Sequence, residues 1–344
     1  MANYKELEGF SVQTLATDPD SAGWIGSIFY NSTSGTFKTV KPGGVSVGTW
    51  ASGGTYPVTV NGLGLTGTQT ATLGFGGTVP GTAPNVATTV ASTYDGTSWT
   101  TTTSMPTAYA GLAGFGTQTA ALVFGGNTFP SPVVYQTTTK TFDGSTWTTV
   151  NSLNTARVLL GSGMGLQTAG ITAGAQINST TVSNITESWD GTSWTEVAEL
   201  NTTRYVFGGC GIQTDALLSG GSTSTSDTWT GATEKYNGTS WTTLSSLNTA
   251  RNCGQFGTAS SSIALAGQYG VAPGYGAFTE FYDGTSWTEL NDLSTARISA
   301  RGSGGTSPSS AGLTTGGYTG AAPYLNATEE WTVPDVVINT LTTS

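Results

Sequence analysis

Two sets of polar residues recur along this 344-residue chain at spacings that could support chemistry. One set is the run Asp-Gly-Thr-Ser-Trp or a close variant, with copies that begin at Asp95, Asp143, Asp190, Asn237 and Asp283. The other set pairs an arginine with a glutamate 30, 30, 29 and 32 residues later: Arg157 with Glu187, Arg204 with Glu234, Arg251 with Glu280, and Arg297 with Glu329. Repeated carboxylates of this kind could form a binding site used many times, or a ring of acids and bases.

The repeated Asp-Gly-Thr-Ser-Trp run is better explained by structure than by binding. Asp-Gly between two strand-like runs is a strong hairpin signal, because the turn requires a positive φ angle. Asn237 replaces aspartate in one copy, which a turn tolerates and a charge-based site would not. We therefore interpret Asp-Gly as the turn and the tryptophan as a side chain that packs between neighbouring sheets.

The arginine and the glutamate are present or absent together. Where the arginine is replaced by Tyr109, Lys140 stands in place of the glutamate, and Tyr56 is matched in the same way by Ser92. This pattern predicts a partly buried ion pair in each of the four repeats, because removing one partner would leave an unpaired charge. The alternative, an acid–base ring, is disfavoured because an arginine partner lowers the pKa of a carboxyl group.

A repeat of about 47 residues must position these side chains. Trp99, Trp147, Trp194, Trp241 and Trp287 are 48, 47, 47 and 46 residues apart. Each period contains four short strand-like runs, and the second run ends in Gly-Gly. Several periods share a glutamine between the first and second runs, and we expect its side chain to hydrogen-bond to the backbone. Four antiparallel strands per period is the pattern of a β-propeller blade.

An apolar strand ending in Gly-Gly, an aromatic residue before Asp, and a tryptophan on the next strand resemble the kelch repeat, over about Gly44 to Val333. "TAGA" at Thr172–Ala175 and "LAGQ" at Leu265–Gln268 depart from the pattern, since each keeps one glycine of the pair. The resemblance implies an all-β, kelch-like propeller.

The order of the strands predicts how the ring closes. Six Gly-Gly strands and six third strands follow one another, but the last repeat lacks its own fourth strand. Trp50, in "GVSVGTW", lies on a fourth strand that has no repeat before it. We therefore predict six blades across residues 44–333, closed by this N-terminal strand so that no sheet edge stays open.

The loops between the second and third strands differ from repeat to repeat, and function concentrates in such loops over a rigid scaffold. They carry aromatic residues and little charge: Phe129, Tyr135, Trp229, Tyr269, Tyr275, Tyr318 and Tyr324. Such rings suit a sugar or a partner protein. The alternative is that they cover a glycine-rich core or pack on the adjacent blade. We expect these loops on the face opposite the Asp-Gly turns.

Residues 1–43 precede the repeat and are predicted to be an attachment segment, and residues 334–344 an extended tail. "GSIFYNSTSGTFKTV", Gly26 to Val40, is predicted as a small β-hairpin around a polar turn. It is similar to N-terminal segments of phage virion and tail-fibre proteins, and the Asp-Gly-Thr-Ser-Trp repeats resemble those of marine bacteriophage structural proteins. The resemblance implies a virion component, exposed on the particle and assembled in the host cytoplasm.

Composition excludes several classes of function. The net charge of −10 argues against nucleic acid and against an anionic membrane surface. The absence of histidine removes the commonest general base and metal ligand, and with it a kelch-type copper oxidase site, so we expect no metal and no cofactor. Cys210 and Cys253 are predicted to be buried thiols, and no segment reads as a signal peptide or a membrane span.

The sequence thus favours a non-enzymatic virion structural protein, in the tail, in a fibre or as capsid decoration. Residues 1–43 would contact other virion proteins, and the loops would contact host-surface glycan; a homo-oligomer is left open. Two alternatives are kept. One is a carbohydrate-active enzyme on a propeller, although no unpaired carboxylate pair is apparent in the loops. The other is a bacterial surface adhesin.

Overall fold

The structure, a computed structural model, describes residues 12–81, 85–130, 132–158, 163–270, 274–303, 307–320 and 324–341. Within these ranges the chain is all-β, with no α-helix and two 3₁₀ turns at Ala22–Trp24 and Val45–Val47. No helix in the described ranges is long and apolar enough to cross a membrane. The chain divides into two compact units, one comprising Met1–Gly48 with Val333–Ser344 and the other Thr49–Thr332.

The smaller unit is built on one four-stranded sheet that contains strands from both ends of the chain. Its order is β1-β2-β3-β29, with β1 at Gln13–Leu15, β2 at Ile28–Asn31, β3 at Thr36–Pro42 and β29 at Val336–Thr340. Strands β2 and β3 form the hairpin predicted within Gly26 to Val40, which is confirmed. Asn31 Oδ1 accepts the backbone N–H groups of Thr33 and Ser34 and so holds the polar turn.

The C-terminal residues form a strand, and the first boundary differs from the prediction. Residues 334–344 are predicted as an extended tail; Val336–Thr340 is extended as β29 and pairs antiparallel with β3, with Ile338 opposite Val40. The consecutive side chains of Val336, Val337 and Ile338 are all half-buried, and their burial favours pairing of the strand. The strand expected from Gly44 begins at Thr49, because Val45–Val47 forms a 3₁₀ turn. Residues 1–11 of the predicted attachment segment lie outside the described residues.

The larger unit contains five four-stranded antiparallel sheets, which we number repeat sheets 1 to 5. Repeat sheet 1 consists of β5 Gly64–Thr68, β6 Ala71–Phe75, β9 Ala91–Tyr94 and β10 Trp99–Thr101, with a small ribbon of β7 Thr78–Val79 and β8 Val86–Ala87 in its loop. Repeat sheet 2 consists of β11 Ala113–Thr117, β12 Ala120–Phe124, β13 Thr139–Phe142 and β14 Trp147–Val150. Repeat sheet 3 consists of β15 Met164–Leu166, β16 Ala169–Gln176, β17 Val182–Trp189 and β18 Trp194–Val197. Repeat sheet 4 consists of β19 Gly208–Ile212, β20 Asp215–Ser219, β21 Thr233–Tyr236 and β22 Trp241–Leu244, and repeat sheet 5 of β23 Gly254–Thr258, β24 Ser261–Gln268, β25 Tyr275–Tyr282 and β26 Trp287–Glu289.

Repeat sheet 6 combines strands from the two ends of the larger unit. It consists of β27 Ala311–Thr315, β28 Thr328–Thr332 and β4 Thr49–Ser52, in the order β27-β28-β4. Strand β4 pairs antiparallel with β28, with Trp50 opposite Trp331. The repeated four-stranded antiparallel sheets make the fold propeller-like, as the sequence predicts.

The hydrophobic core is divided into clusters that lie between successive sheets. Leu73 and Phe75 of repeat sheet 1 pack with Leu112 and Val123 beside repeat sheet 2, and similar clusters follow at the next junctions. Leu313 of repeat sheet 6 packs with Leu65 of repeat sheet 1. The thiols of Cys210 and Cys253 are buried and free, as predicted, and burial raises the pKa of Cys210 to about 12.

The Gly-Gly pair marks a backbone bend that only glycine adopts without strain. Gly220 and Gly221 have φ angles of 68° and 103°, and a Cβ added to Gly220 would lie 2.4 Å from the Arg251 carbonyl oxygen. In the two departures from the motif, Ala175 and Ala266 keep the bend at φ angles of 148° and 55°. The backbone geometry is therefore common to all the repeats, and the alanines adopt it at a cost.

The five Asp-Gly turns have one geometry. Oδ1 of Asp190 accepts the backbone N–H groups of Thr192 at 2.8 Å and Ser193 at 2.7 Å, and Asn237 accepts those of Thr239 and Ser240 at 2.9 Å. The glycine that follows has a φ angle of 92° to 96° in all five turns. Because asparagine performs the same role as aspartate, the side chain shapes the turn through its oxygen and not through its charge.

The repeated tryptophan ties each sheet to the sheet before it. The indole N–H of Trp194 donates to Thr139 Oγ1 of repeat sheet 2 at 3.1 Å, and that of Trp287 donates to Thr233 Oγ1 of repeat sheet 4 at 3.1 Å. Trp50 donates to Thr279 Oγ1 of repeat sheet 5 at 2.9 Å in the same way. The prediction that these rings pack between neighbouring sheets is confirmed.

The acid dependence of stability provides a test of the turn. Hydrogen bonds from the Thr146 side chain and from the Thr146 and Ser145 backbone hold the pKa of Asp143 well below its usual range. A carboxyl group with a lower pKa in the folded chain stabilises it above the unfolded pKa, and that contribution is lost as pH falls toward the folded value. As the pH is lowered from about 5 to 2, we expect the free energy of unfolding of Asp143→Asn, measured by urea titration, to fall less than that of wild type.

The reverse substitution is the control for this test. Asn237→Asp adds a titrating group to a turn of the same geometry, so its stability should decline more steeply with acid than that of wild type. Equal acid sensitivity of wild type and both variants would show that the turn carboxylates do not contribute to the pH dependence.

Candidate functional site

The four predicted arginine–glutamate pairs are salt bridges buried in four of the repeat sheets. The Arg297 and Glu329 side chains meet at 2.5 Å, and the other pairs also make direct contact: Arg157 with Glu187, Arg204 with Glu234, and Arg251 with Glu280. All eight side chains are at most 3% exposed. Each pair joins the segment that enters a sheet to the third strand of that sheet.

The surroundings of each pair supply further hydrogen bonds. Glu234 accepts the backbone N–H groups of Asn201 at 2.7 Å and Thr202 at 3.1 Å, while Arg204 donates to the carbonyl oxygen of Gly220 at 3.2 Å. A buried ion pair is retained only when such additional bonds satisfy both groups. The carboxylate and the guanidinium are both used within the sheet, which fits a structural role and not an acid–base role.

The Asn-Thr segment before each arginine is a part of this network that the sequence analysis missed. Asn154, Asn201 and Asn248, with Ser294 in the last copy, donate their backbone N–H groups to the glutamates at 2.7–2.8 Å. In repeat sheet 2, which has no such pair, this position is Pro106, which has no N–H to donate. The change from glutamate to Lys140 is thus accompanied by the loss of the donor.

Burial affects the charged groups of these sheets in a consistent direction. Desolvation lowers the pKa values of Arg157, Arg204 and Arg297. The partner glutamate of each arginine raises the pKa again in part. Lys140 is 7% exposed, its pKa is lowered by burial, and its Nζ donates to Thr149 Oγ1 at 3.2 Å. These groups lie inside the scaffold.

The predicted aromatic residues fall into two groups. Phe129 and Tyr135 line a cavity of about 250 Å³ that is open to solvent. Phe129 is 37% exposed, and Tyr135 is half-buried with a pKa raised by desolvation. These two rings are the predicted residues that the structure brings to one site.

The other five aromatic residues contact residues of their own repeat or of a neighbouring one. The indole N–H of Trp229 donates to the Gly270 carbonyl oxygen at 3.0 Å, and the ring of Tyr269 lies 5.0 Å from that of Phe278. The ring centroid of Tyr318 is 6.0 Å from that of Tyr275 and 5.6 Å from that of Tyr324. For these residues the structure shows the packing that the sequence analysis gave as the alternative to ligand binding.

The cavity is lined by the segments that enter and leave the repeat sheets. Entering segments contribute Asn61, Ala110, Val158 and Ser299, and the positions after the Gly-Gly bend contribute Thr78, Asn127 and Gln176. Backbone hydrogen bonds connect the two kinds of segment, as between Asn61 and Thr78 at 2.8 and 2.9 Å. The cavity is thus built by residues far apart in the sequence, on a backbone frame that the repeats fix. Its polar lining consists of amides and hydroxyls.

Asn61 has an unsatisfied oxygen at this site. Its Oδ1 is buried and accepts no hydrogen bond from the part of the chain that the structure describes. Buried polar atoms are usually paired, and an orphan requires a reason. The side chain of Asn61 also hydrogen-bonds with that of Tyr324, so exchange of the amide oxygen and nitrogen would pair this oxygen within the chain.

Residues that follow the entering segments have positive φ angles, and three of them, Gly62, Gly111 and Ser299, line the cavity. Gly62, Gly111, Val206 and Ser299 follow the entering segments with φ angles of 63°, 62°, 53° and 54°. For Val206 this is a strained conformation, since a β-branched residue disfavours positive φ. Ser299 also borders a second cavity of about 10 Å³, together with Val206 and the buried Arg301, whose pKa burial lowers to about 10.

No family model and no curated protein matches the sequence. Among solved structures, that of YjhT matches with a TM-score of 0.63 and 13% sequence identity, over 83% of this chain and 99% of the YjhT chain. At this identity the similarity concerns the fold alone. It supports the all-β, propeller-like arrangement of four-stranded sheets.

Proposed function

We propose that the larger unit is a six-bladed, kelch-like propeller that strand β4 closes. Gln118 Nε2 of repeat sheet 2 donates to the Tyr94 carbonyl oxygen of repeat sheet 1 at 2.7 Å, and Gln69 of repeat sheet 1 donates to the Trp331 carbonyl oxygen of repeat sheet 6 at 2.9 Å. The indole of Trp99 in repeat sheet 1 likewise donates to Thr328 Oγ1 of repeat sheet 6 at 2.9 Å. The bonds between the last and first sheets are therefore of the same kind as those between successive sheets.

The protein acts as a non-enzymatic structural component of a bacteriophage virion, on the tail, a fibre or the capsid surface. The observation that carries this proposal is the pairing of β3 with β29, which joins a strand that precedes the repeats and a strand that follows them in one small unit. A compact unit of this kind is suited to attachment. The phage-like hairpin lies within that unit, and other virion proteins are its partners.

The loop face serves host attachment. The cavity lies among the entering segments and the second-to-third-strand loops, where sequence varies most between repeats. Its amides, hydroxyls and rings suit a host-surface glycan. The described lining residues carry no carboxylate, so the site is better suited to holding such a ligand than to protonating its glycosidic bond.

Labelling of virions tests the proposal. Antibodies raised against residues 49–332 should decorate washed, intact particles of the phage that encodes the chain, visible by electron microscopy. In phage complemented with a chain that lacks residues 1–43, the label should disappear from particles, whereas Phe129→Ser should leave it unchanged. A chain found only in the lysate, or catalytic turnover of a glycan by the purified protein, would overturn the proposal.

A further inference from the structure

We propose that the 250 Å³ cavity binds one neutral pyranose ring, such as the terminal residue of a glycan, through Asn61, Asn127 and Gln176, with Phe129 and Tyr135 as its walls. This inference rests on the proposed function, in which the loop face is the side that meets a ligand.

The size of the cavity selects a small ligand. Pockets for drug-sized molecules are about 300–1,000 Å³. A volume of about 250 Å³ lies just below that range and matches a single sugar ring with its hydroxyl groups. Because the cavity opens to solvent, the rest of a longer glycan can extend outward from the bound residue.

The lining offers the two kinds of contact that a sugar requires. A pyranose has an apolar face of C–H groups, which packs against aromatic rings such as Phe129 and Tyr135. Its edge carries hydroxyl groups that both donate and accept. Side-chain amides match this edge, because each carries a carbonyl acceptor and an NH₂ donor.

Asn61 lines the cavity together with the other two amide side chains, Asn127 and Gln176. Amides in the lining favour a ligand that carries hydroxyl groups, because a polar group left unpaired on binding costs free energy. We therefore expect these three amides to select for ring hydroxyls.

The charge of the lining selects a neutral sugar over an acidic one. The described residues that border the cavity include no lysine or arginine, and the chain has a net charge of −10. Arg301 borders the separate 10 Å³ cavity and is 4% exposed. A carboxylate held among amides and rings would lose its hydration without gaining a cation.

Titration of the full-length protein with matched sugars tests the inference. The probes are methyl glycopyranosides of glucose, galactose and mannose and the corresponding uronic acids, followed by saturation-transfer NMR. We expect at least one neutral glycoside to bind with a Kd in the millimolar range, and its uronic acid at least about tenfold more weakly. Equal or tighter binding of the uronic acid, or no binding of any neutral glycoside up to about 50 mM, would overturn the inference.

Variants connect the binding to the cavity. Asn61→Leu and Phe129→Ser should each weaken the neutral glycoside at least about tenfold, whereas Asn178→Ala, in an exposed loop outside the cavity, should not. Phe129 is exposed, so its variant keeps the test informative if Asn61→Leu fails to fold. Unchanged binding in a folded variant of either cavity residue would refute the assignment. If no sugar binds but the virions are labelled, the proposed ligand is wrong and the proposed virion role stands. If a sugar binds but the virions are not labelled, the virion role is wrong and the sugar site stands.

Discussion

Arg204→Met should destabilise the protein by about 3–5 kcal/mol, because it leaves the Glu234 carboxylate buried without its cation. Both side chains are fully buried in the structure. The two backbone N–H groups on Glu234 remain, but they cannot replace a guanidinium that makes direct contact. The measurement is the free energy of unfolding from urea titration of wild type and variant at neutral pH.

The double variant Arg204→Met/Glu234→Leu distinguishes the contribution of the ion pair from the cost of burying one unpaired charge. Replacing a buried pair by apolar side chains of similar volume is often nearly neutral, so the double variant should recover much of the loss. Lys235→Met is the matched control, since Lys235 and Asp215 form a pair in the same sheet at 2.9 Å with 34% and 47% exposure. Its cost should stay below about 1 kcal/mol. If Arg204→Met cost no more than Lys235→Met, the buried pairs would not be what holds the segments to the sheets.

Trp50→Ala should cost about 3 kcal/mol and lower the midpoint of a single unfolding transition. The ring of Trp50 lies 5.5 Å from that of Trp331, and its N–H reaches Thr279 in the neighbouring sheet. Losing these contacts frees β4 from β28. An unpaired β28 would expose a sheet edge, so we also expect the variant to aggregate on heating.

Trp147→Ala is the control for Trp50→Ala. Trp147 holds the same position in repeat sheet 2, lies 4.7 Å from Phe142 and donates to the Thr103 carbonyl oxygen at 2.8 Å. If β4 completes a blade, the two variants should lose similar stability. A small effect of Trp50→Ala beside a large effect of Trp147→Ala would mean that the larger unit is stable without β4.

The scaffold was predictable because its signals are local and repeated. The Asp-Gly turn, the tryptophan and the Gly-Gly bend each depend on a few adjacent residues and recur about every 47 positions. The pairing of Arg204 with Glu234 was inferred across 30 residues because the two types change together between repeats. The Asn-Thr donors were missed, although Pro106 breaks the motif in repeat sheet 2, which has no such pair.

The cavity was less predictable because its residues share no local pattern. Asn61 and Asn127 lie outside the strands, Gln176 is the last residue of β16, and the three come from three different repeats. Aromatic type alone pointed to seven rings, but it could not distinguish Phe129, which faces the cavity, from Tyr318, which packs between Tyr275 and Tyr324. The pairing of β29 with β3 was not predicted for the same reason. A Val-Val-Ile segment indicates a strand, but it does not indicate which strand lies beside it.

The pairing of β4 with β28 sets a condition on synthesis. Trp50 leaves the ribosome long before its partner Trp331, so the nascent chain must carry an unpaired strand while the other repeats form. Contacts between segments so distant in sequence form slowly, and unpaired strands in such intermediates promote association between chains. Translation rate and chaperone supply should therefore govern the yield of native protein more strongly than its final stability does.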